Sequence, residues 1–180
     1  MIVFITGGAK NGKSSYAQRL AVRLSQGGPH YYIATMIPVD QEDRERIRRH
    51  IADRDGLGFE TVECGRDILS CLPTVDTAGS FLLDSTTALL MNELFVPPDY
   101  HLDPEAGSRC ADELAEFARS VANIVLVSDY IYSDAARYDD VTETYRKALA
   151  GIDRRLAAIS DVVLELTTGN IIVHKGDFQP

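Results

Sequence analysis

The chain has 180 residues, 45% hydrophobic and 25% charged, with a formal net charge of −9. That length and balance predict one globular domain, residues 1–180, large enough to bury a real core. The acidic balance excludes nucleic acid as the main partner, and no apolar run nears the roughly 20 residues that a bilayer span needs.

Strands and helices alternate along the sequence. Residues 2–6 form a compact apolar strand, read as a strand and not a leader, so a cytoplasmic address is expected. A glycine-rich turn follows, then a helix over 13–24, a strand over 31–35 and a highly charged helix over 40–53. Residues 59–63 make a short strand and 66–72 a short helix that Pro73 ends. An apolar strand over 80–84 closes on Asp84, and a helix over 87–95 stops before Pro97-Pro98.

A Pro- and Asp-bearing connection, 96–105, leads to an amphipathic helix over 105–122 and a buried-type strand over 123–128. A helix over 141–159 precedes two strands, 162–166 and 170–174, split by Thr167-Thr168-Gly169 as a hairpin. Continuous apolar strands between helices predict a mostly parallel α/β sheet covered on both faces, with an antiparallel hairpin at its edge. Cys64, Cys71 and Cys110 are odd in number and lack metal-ligand spacing, so reduced thiols are expected. Cys110 lies on a polar segment that allows exposure.

The turn reads Gly7-Gly8-Ala9-Lys10-Asn11-Gly12-Lys13-Ser14 and matches G-x-x-x-x-G-K-[ST], with a strand before it and a helix after. This is a P-loop, and it sets the expected fold as a P-loop NTPase of RecA-like type. Its glycines let successive N–H groups face phosphate oxygens at a helix N-terminus, with Ser15 opening the helix beside them. Lys13 brings a cation to the β- and γ-phosphates, and the Ser14 hydroxyl can join a Mg²⁺ shell. Asp84 is the natural second metal ligand, although Asp84-Ser85-Thr86 could equally cap the next helix.

The stretch 40–50 carries a second signal. Its acidic start and basic end suit a solvated helix aligned with its own dipole. The same spacing puts Arg46, Ile47 and His50 on one face, so a neutral imidazole could attack phosphorus while arginines hold the oxygens.

Together these segments resemble the bifunctional adenosylcobinamide kinase/adenosylcobinamide-phosphate guanylyltransferase family of cobalamin assembly. The P-loop is similar to that family's Gly-Gly-Ala-Arg-Ser-Gly-Lys-Ser form, and Tyr32-Ile33-Ala34-Thr35 to its second strand. Asp40, Glu42, Arg46, Ile47 and His50 fit its Asp-x-Glu-x-x-x-Arg-Ile-x-x-His helix, followed in register by Arg54, Phe59, Thr61 and Glu63. Residues 84–92 resemble its acidic-Cys-x-Thr…Asn segment.

The resemblance implies that His50 attacks the α-phosphorus of GTP to form a guanylyl-histidine, whose GMP passes to adenosylcobinamide phosphate. It also implies an earlier kinase step using ATP or GTP on the aminopropanol hydroxyl of adenosylcobinamide. Lys13 joins His50 as a catalytic residue, and Thr35, Arg46, Arg49, Glu63 and Asp84 join the P-loop in holding nucleotide. A homo-oligomer, a trimer in the family, is implied on the same ground.

The chain departs from the family after residue 127. Where Asn-Glu-Val-Gly-x-Gly is usual, this chain has Ser128-Asp129-Tyr130-Ile131-Tyr132-Ser133-Asp134, without either glycine. Ala150-Gly151-Ile152-Asp153 stands where Gly-Arg-Val-Asn is common. Tyr130 and Tyr132 could stack on a base, pack on a corrin edge, or bury against the following helix. The departure leaves two other readings open. One is a P-loop kinase or nucleotidyltransferase for another small molecule; the other is a nucleotide-binding regulatory protein without turnover.

Overall fold

A computed structural model of the chain describes residues 1–179. The elements run β1 (Ile2–Gly7), α1 (Lys13–Ser25), β2 (His30–Ala34), α2 (Gln41–Asp53), β3 (Glu60–Glu63) and a 3₁₀ helix (Ile68–Thr74). Then come β4 (Ser80–Asp84), α3 (Thr86–Leu94), β5 (Phe95–Val96), β6 (His101–Leu102), α4 (Ala106–Ser120) and β7 (Asn123–Val127). The chain finishes with α5 (Asp140–Ile159), β8 (Val162–Thr167) and β9 (Asn170–Lys175).

Seven strands form one sheet in the order β3-β2-β4-β7-β1-β8-β9, parallel except for β9 on β8. Alternation along β1 decides which helix covers which face. Val3 and Ile5 pack with Ala17, Leu20 and Ala21 of α1, while Phe4 joins Leu89, Leu114 and Leu149 from α3, α4 and α5. Phe81 ties the second layer together, stacked on Tyr31 at 4.9 Å and edge-on to Phe117 at 5.7 Å. Parallel strands all end at one edge, so the loops after β1, β2, β4 and β7 lie side by side there.

Local chemistry moves several boundaries. Pro73 sits inside the 3₁₀ helix instead of ending a helix before it. The 96–105 connection carries a two-stranded ribbon, β5 against β6, too short to leave a sequence pattern. Cys110 is buried at 1% exposure, because its polar neighbours line the outer face of α4 while it points into the core. All three cysteines are buried and free. No helix among the described residues is long and apolar enough to cross a membrane.

Asn92 of α3 fixes the edge, donating to Thr35 O and Gly65 O at 2.8 Å each. Asn92→Ala leaves both carbonyls short of a donor, and urea denaturation is expected to show a loss of about 1–3 kcal/mol. An unchanged midpoint would mean that water replaces the amide without cost.

Candidate active site

Two glycines permit the turn between β1 and α1. A Cβ on Gly7 would run into Leu166 O and the Asn11 amide, and Gly12 stands at φ 88°, in the left-handed region that glycine adopts without strain. Asn11 braces the turn from inside. Its Nδ2 donates to Leu166 O of β8, and its Oδ1 accepts from Lys13 N at 3.3 Å. Gly8 is half-buried, whereas Ala9, Lys10, Gly12 and Ser15 are exposed along the rim.

Lys13 is 5% exposed, and its ammonium is fully engaged. It donates to Gly8 O at 2.6 Å and Asn11 Oδ1 at 3.2 Å, and pairs with Asp129 Oδ1 at 2.6 Å. Asp129 follows β7, the neighbour of β1, so a carboxylate there meets the P-loop lysine directly. Sequence reasoning passed over Asp129 because the missing glycines of that loop drew attention first. The signal was present, since Asp129, like Asp84, follows a buried strand at the sheet's carboxyl edge.

Asp84 closes β4 and leaves the capping of α3 to Ser85, whose side chain accepts from Ala88 N at 3.4 Å. Burial pushes the Asp84 carboxyl above the ordinary aspartate range, against hydrogen bonding from Ser14 and the charge of His50. Asp129 pushes it further up, and the Tyr32 phenol, donating at 3.3 Å, pulls it down. These partners place Ser14, Tyr32, His50 and Asp129 around one carboxyl. Burial and Asp84 in turn raise the Tyr32 phenol, which stays a donor, with the Arg54 guanidinium 4.2 Å over its ring.

The Ser14 hydroxyl and the Asp84 carboxylate are hard oxygen donors, the type that Mg²⁺ prefers. No group of three His, Cys, Asp or Glu that could hold a metal occurs among the described residues. Two such oxygen donors suit an ion that takes most of its shell from phosphate and water, as Mg²⁺ does.

Helix α2 brings His50 to this cluster while burying none of its own residues. Its N-cap is Asp40, accepting from Asp43 N at 2.8 Å. His50 is half-buried, and its Nδ1 is buried without a hydrogen-bond partner. Arg46 is exposed yet close enough to Tyr32 for its charge to act on the phenol. Arg49 is exposed and turned back to Glu45 O at 3.4 Å.

Two expected nucleotide contacts sit apart from this group. Thr35 is fully buried, and its hydroxyl donates to Ser85 O and accepts from Ser85 N, both at 2.9 Å. It braces the ends of β2 and β4, with its hydroxyl spent on backbone. Glu63 ends β3, four strands from β1, which is about 19 Å away at the usual strand spacing.

Comparison with known proteins supplies a family. Residues 3–173 match the family described as cobinamide kinase / cobinamide phosphate guanyltransferase, CobU. The chain belongs to that family. It is 31% identical to the bifunctional adenosylcobalamin biosynthesis protein CobU of Salmonella typhimurium, over 94% of this chain and 97% of that one. The protein of the same name from Escherichia coli K12 is 27% identical, with the same coverage.

Solved structures agree on fold alone. One of them, an ATPase domain, superposes with a TM-score of 0.54 at 10% identity, over 99% of this chain and 78% of that one. A KaiC-like protein from Pyrococcus horikoshii OT3 gives 0.54 at 14% identity, over 97% and 78%. The P-loop NTPase, RecA-like reading of the sequence therefore stands.

The 128–134 departure is held in place from α5. Tyr132 donates to Asp153 Oδ2 at 2.7 Å, and Asp153 is 4% exposed. Burial pushes the Asp153 carboxyl up to about 6, against the hydrogen bond from Tyr132. The folded state therefore prefers the protonated acid, and its contribution to stability is lost as pH rises through about 6. Asp153→Asn keeps an acceptor for Tyr132 and removes the buried charge. At pH 7.5 its Tm should exceed the parent's by about 5 °C, on the order of 2 kcal/mol, and the gap should close towards pH 4. A gap independent of pH would contradict a buried, titrating Asp153.

Proposed function

We propose that the chain carries out both reactions of its family at this one edge: phosphorylation of adenosylcobinamide, and guanylyl transfer to the resulting phosphate. The convergence of Lys13, Ser14, Asp84 and His50 carries the reading. Those four come from α1 at the P-loop, β4 and α2.

In the kinase step Lys13 turns from Asp129 to the β- and γ-phosphates of ATP or GTP, and the P-loop N–H groups hold their oxygens. The exchange keeps the buried ammonium compensated throughout. It also frees Asp129 beside the γ-phosphate, where it takes the proton of the acceptor hydroxyl as that oxygen bonds to phosphorus and the nucleoside diphosphate departs. Ser14 and Asp84 would hold Mg²⁺, which would supply charge neutralisation on the phosphates.

In the second step Nε2 of His50, the ring nitrogen that is not buried, attacks the α-phosphorus of GTP and pyrophosphate leaves. A phosphate oxygen of adenosylcobinamide phosphate then attacks the same phosphorus. The P–N bond breaks and adenosylcobinamide-GDP forms. Arg46 is the nearer of the two arginines for charge stabilisation, and Arg49 needs a rotamer change to contribute. Thr35 supports the site from below, and Glu63 has room only for a remote part of a bound ligand.

A homo-oligomer accords with α2, which has no fully buried residue, while Val39 just before it and Ile51 on it are 71% and 50% exposed. A cytoplasmic setting accords with three unpaired thiols.

GTP labelled at the α-phosphate tests the guanylyl half. An acid-labile, base-stable label on the protein is expected, lost in His50→Ala, with nucleotide still bound. Labelling that survives in His50→Ala would move the nucleophile elsewhere. Lys13→Ala is expected to weaken triphosphate binding and cut both activities by at least about a hundred-fold. Unchanged turnover in that variant would remove the P-loop from the mechanism.

A further inference from the structure

A cavity of about 360 Å³ opens beside the P-loop, lined by Thr6, Tyr130, Tyr132, Ser133 and Glu165. Thr6 and Glu165 are paired across β1 and β8, on the face of the sheet that Phe4 shares with α3, α4 and α5. The P-loop itself turns the other way, into α1. The cavity therefore lies behind the phosphate turn and beside Asp129.

Its walls are fixed. Tyr130 N donates to Gly7 O at 3.3 Å, and its phenol donates to Glu165 Oε1 at 3.1 Å. Glu165 Oε2 meets His174 Nε2 at 2.7 Å. Tyr132 is held by Asp153 at 2.7 Å, and Arg146 of α5 pins the next turn through Asp134 Oδ1 at 3.2 Å. The two departures from the family pattern, Tyr132 in the loop and Asp153 in the helix, are thus partners in one hydrogen bond. One buried polar atom among its lining residues is unpaired, the Thr6 hydroxyl oxygen.

The lining selects its occupant. It holds no lysine or arginine, and Glu165 repels anions, so phosphate groups are disfavoured. Two phenol rings, two hydroxyls and a carboxylate suit an uncharged chain that carries amide and hydroxyl groups. The volume is at the small end of ligand pockets, which suits a single arm of a larger acceptor.

Resting on the kinase reading given above, we propose that this cavity receives the hydroxyl-bearing amide arm of the phosphoryl acceptor, with the macrocycle outside. Thr6 binds a polar group of the arm, Tyr130 and Tyr132 cover its carbon chain, and the hydroxyl emerges at Asp129 and the γ-phosphate. Once phosphorylated, the arm cannot draw back into the cavity without bringing its phosphate towards Glu165. The cavity therefore serves the kinase step and not the guanylyl-transfer step.

Steady-state kinetics on Thr6→Val, Tyr130→Ala and the unsubstituted protein test this. Thr6→Val is isosteric and keeps the fold if the tyrosine variant does not. Thr6→Val should raise KM for adenosylcobinamide about five-fold and Tyr130→Ala about ten-fold. KM for ATP should shift less than about two-fold, as should KM for adenosylcobinamide phosphate in guanylyl transfer. Unchanged adenosylcobinamide KM in both variants, or equal rises for both corrinoids, would overturn the assignment. No phosphorylation of adenosylcobinamide by the unsubstituted protein would sink the underlying kinase reading, and the assignment with it.

Discussion

A lysine ammonium with almost no exposure must be neutralised, and the arrangement of this site follows from how Lys13 is. Its three donors meet Gly8 O, Asn11 Oδ1 and Asp129 Oδ1, so no proton is left unbonded. Removing one partner from such a buried pair typically costs about 3–5 kcal/mol. The pair also imposes geometry. It needs β7 beside β1, a P-loop tight enough to return Gly8 O to the side chain, and a loop after β7 that starts with a carboxylate. Asn11 reaches on to β8, so three adjacent strands are tied through one turn.

The same pair joins the two sides of the site. On the proposed reading Lys13 meets the nucleotide while Asp129 begins the loop that walls the proposed acceptor cavity, so phosphate arriving at one disturbs the other. Asp84 is the complementary centre. It is a carboxyl raised by burial, surrounded by Ser14, Tyr32 and His50, and it gains most from a cation brought in with a nucleotide. His50 arrives on α2, which has no fully buried residue and so can move relative to the sheet at little packing cost.

Much of this was legible in the sequence where one physical signal dominated. Apolar runs located every long strand, the glycine spacing located the P-loop, and the carboxylate ending 80–84 located Asp84. Other features depend on contacts that sequence does not list. Strand order decides that Asp129 faces Lys13 while Glu63 sits at the far side. Thr35 was a nucleotide contact by family resemblance alone, and its bonds to Ser85 are visible only once β2 and β4 are paired. The loop at 128–134 read as a loss of glycines. Its compensation lies in Asp153, about twenty residues on, and only folding brings the two together.

The mechanism depends most directly on Asp129 serving both Lys13 and the acceptor. ATP-dependent phosphorylation of adenosylcobinamide by Asp129→Asn, with nucleotide affinity measured in parallel, examines both roles together. Triphosphate binding should be at least as tight as the parent's, because Lys13 no longer has to leave a carboxylate. The kcat should fall by about a hundred-fold, because the hydroxyl proton has lost its acceptor. Weaker binding with undiminished kcat would contradict both roles.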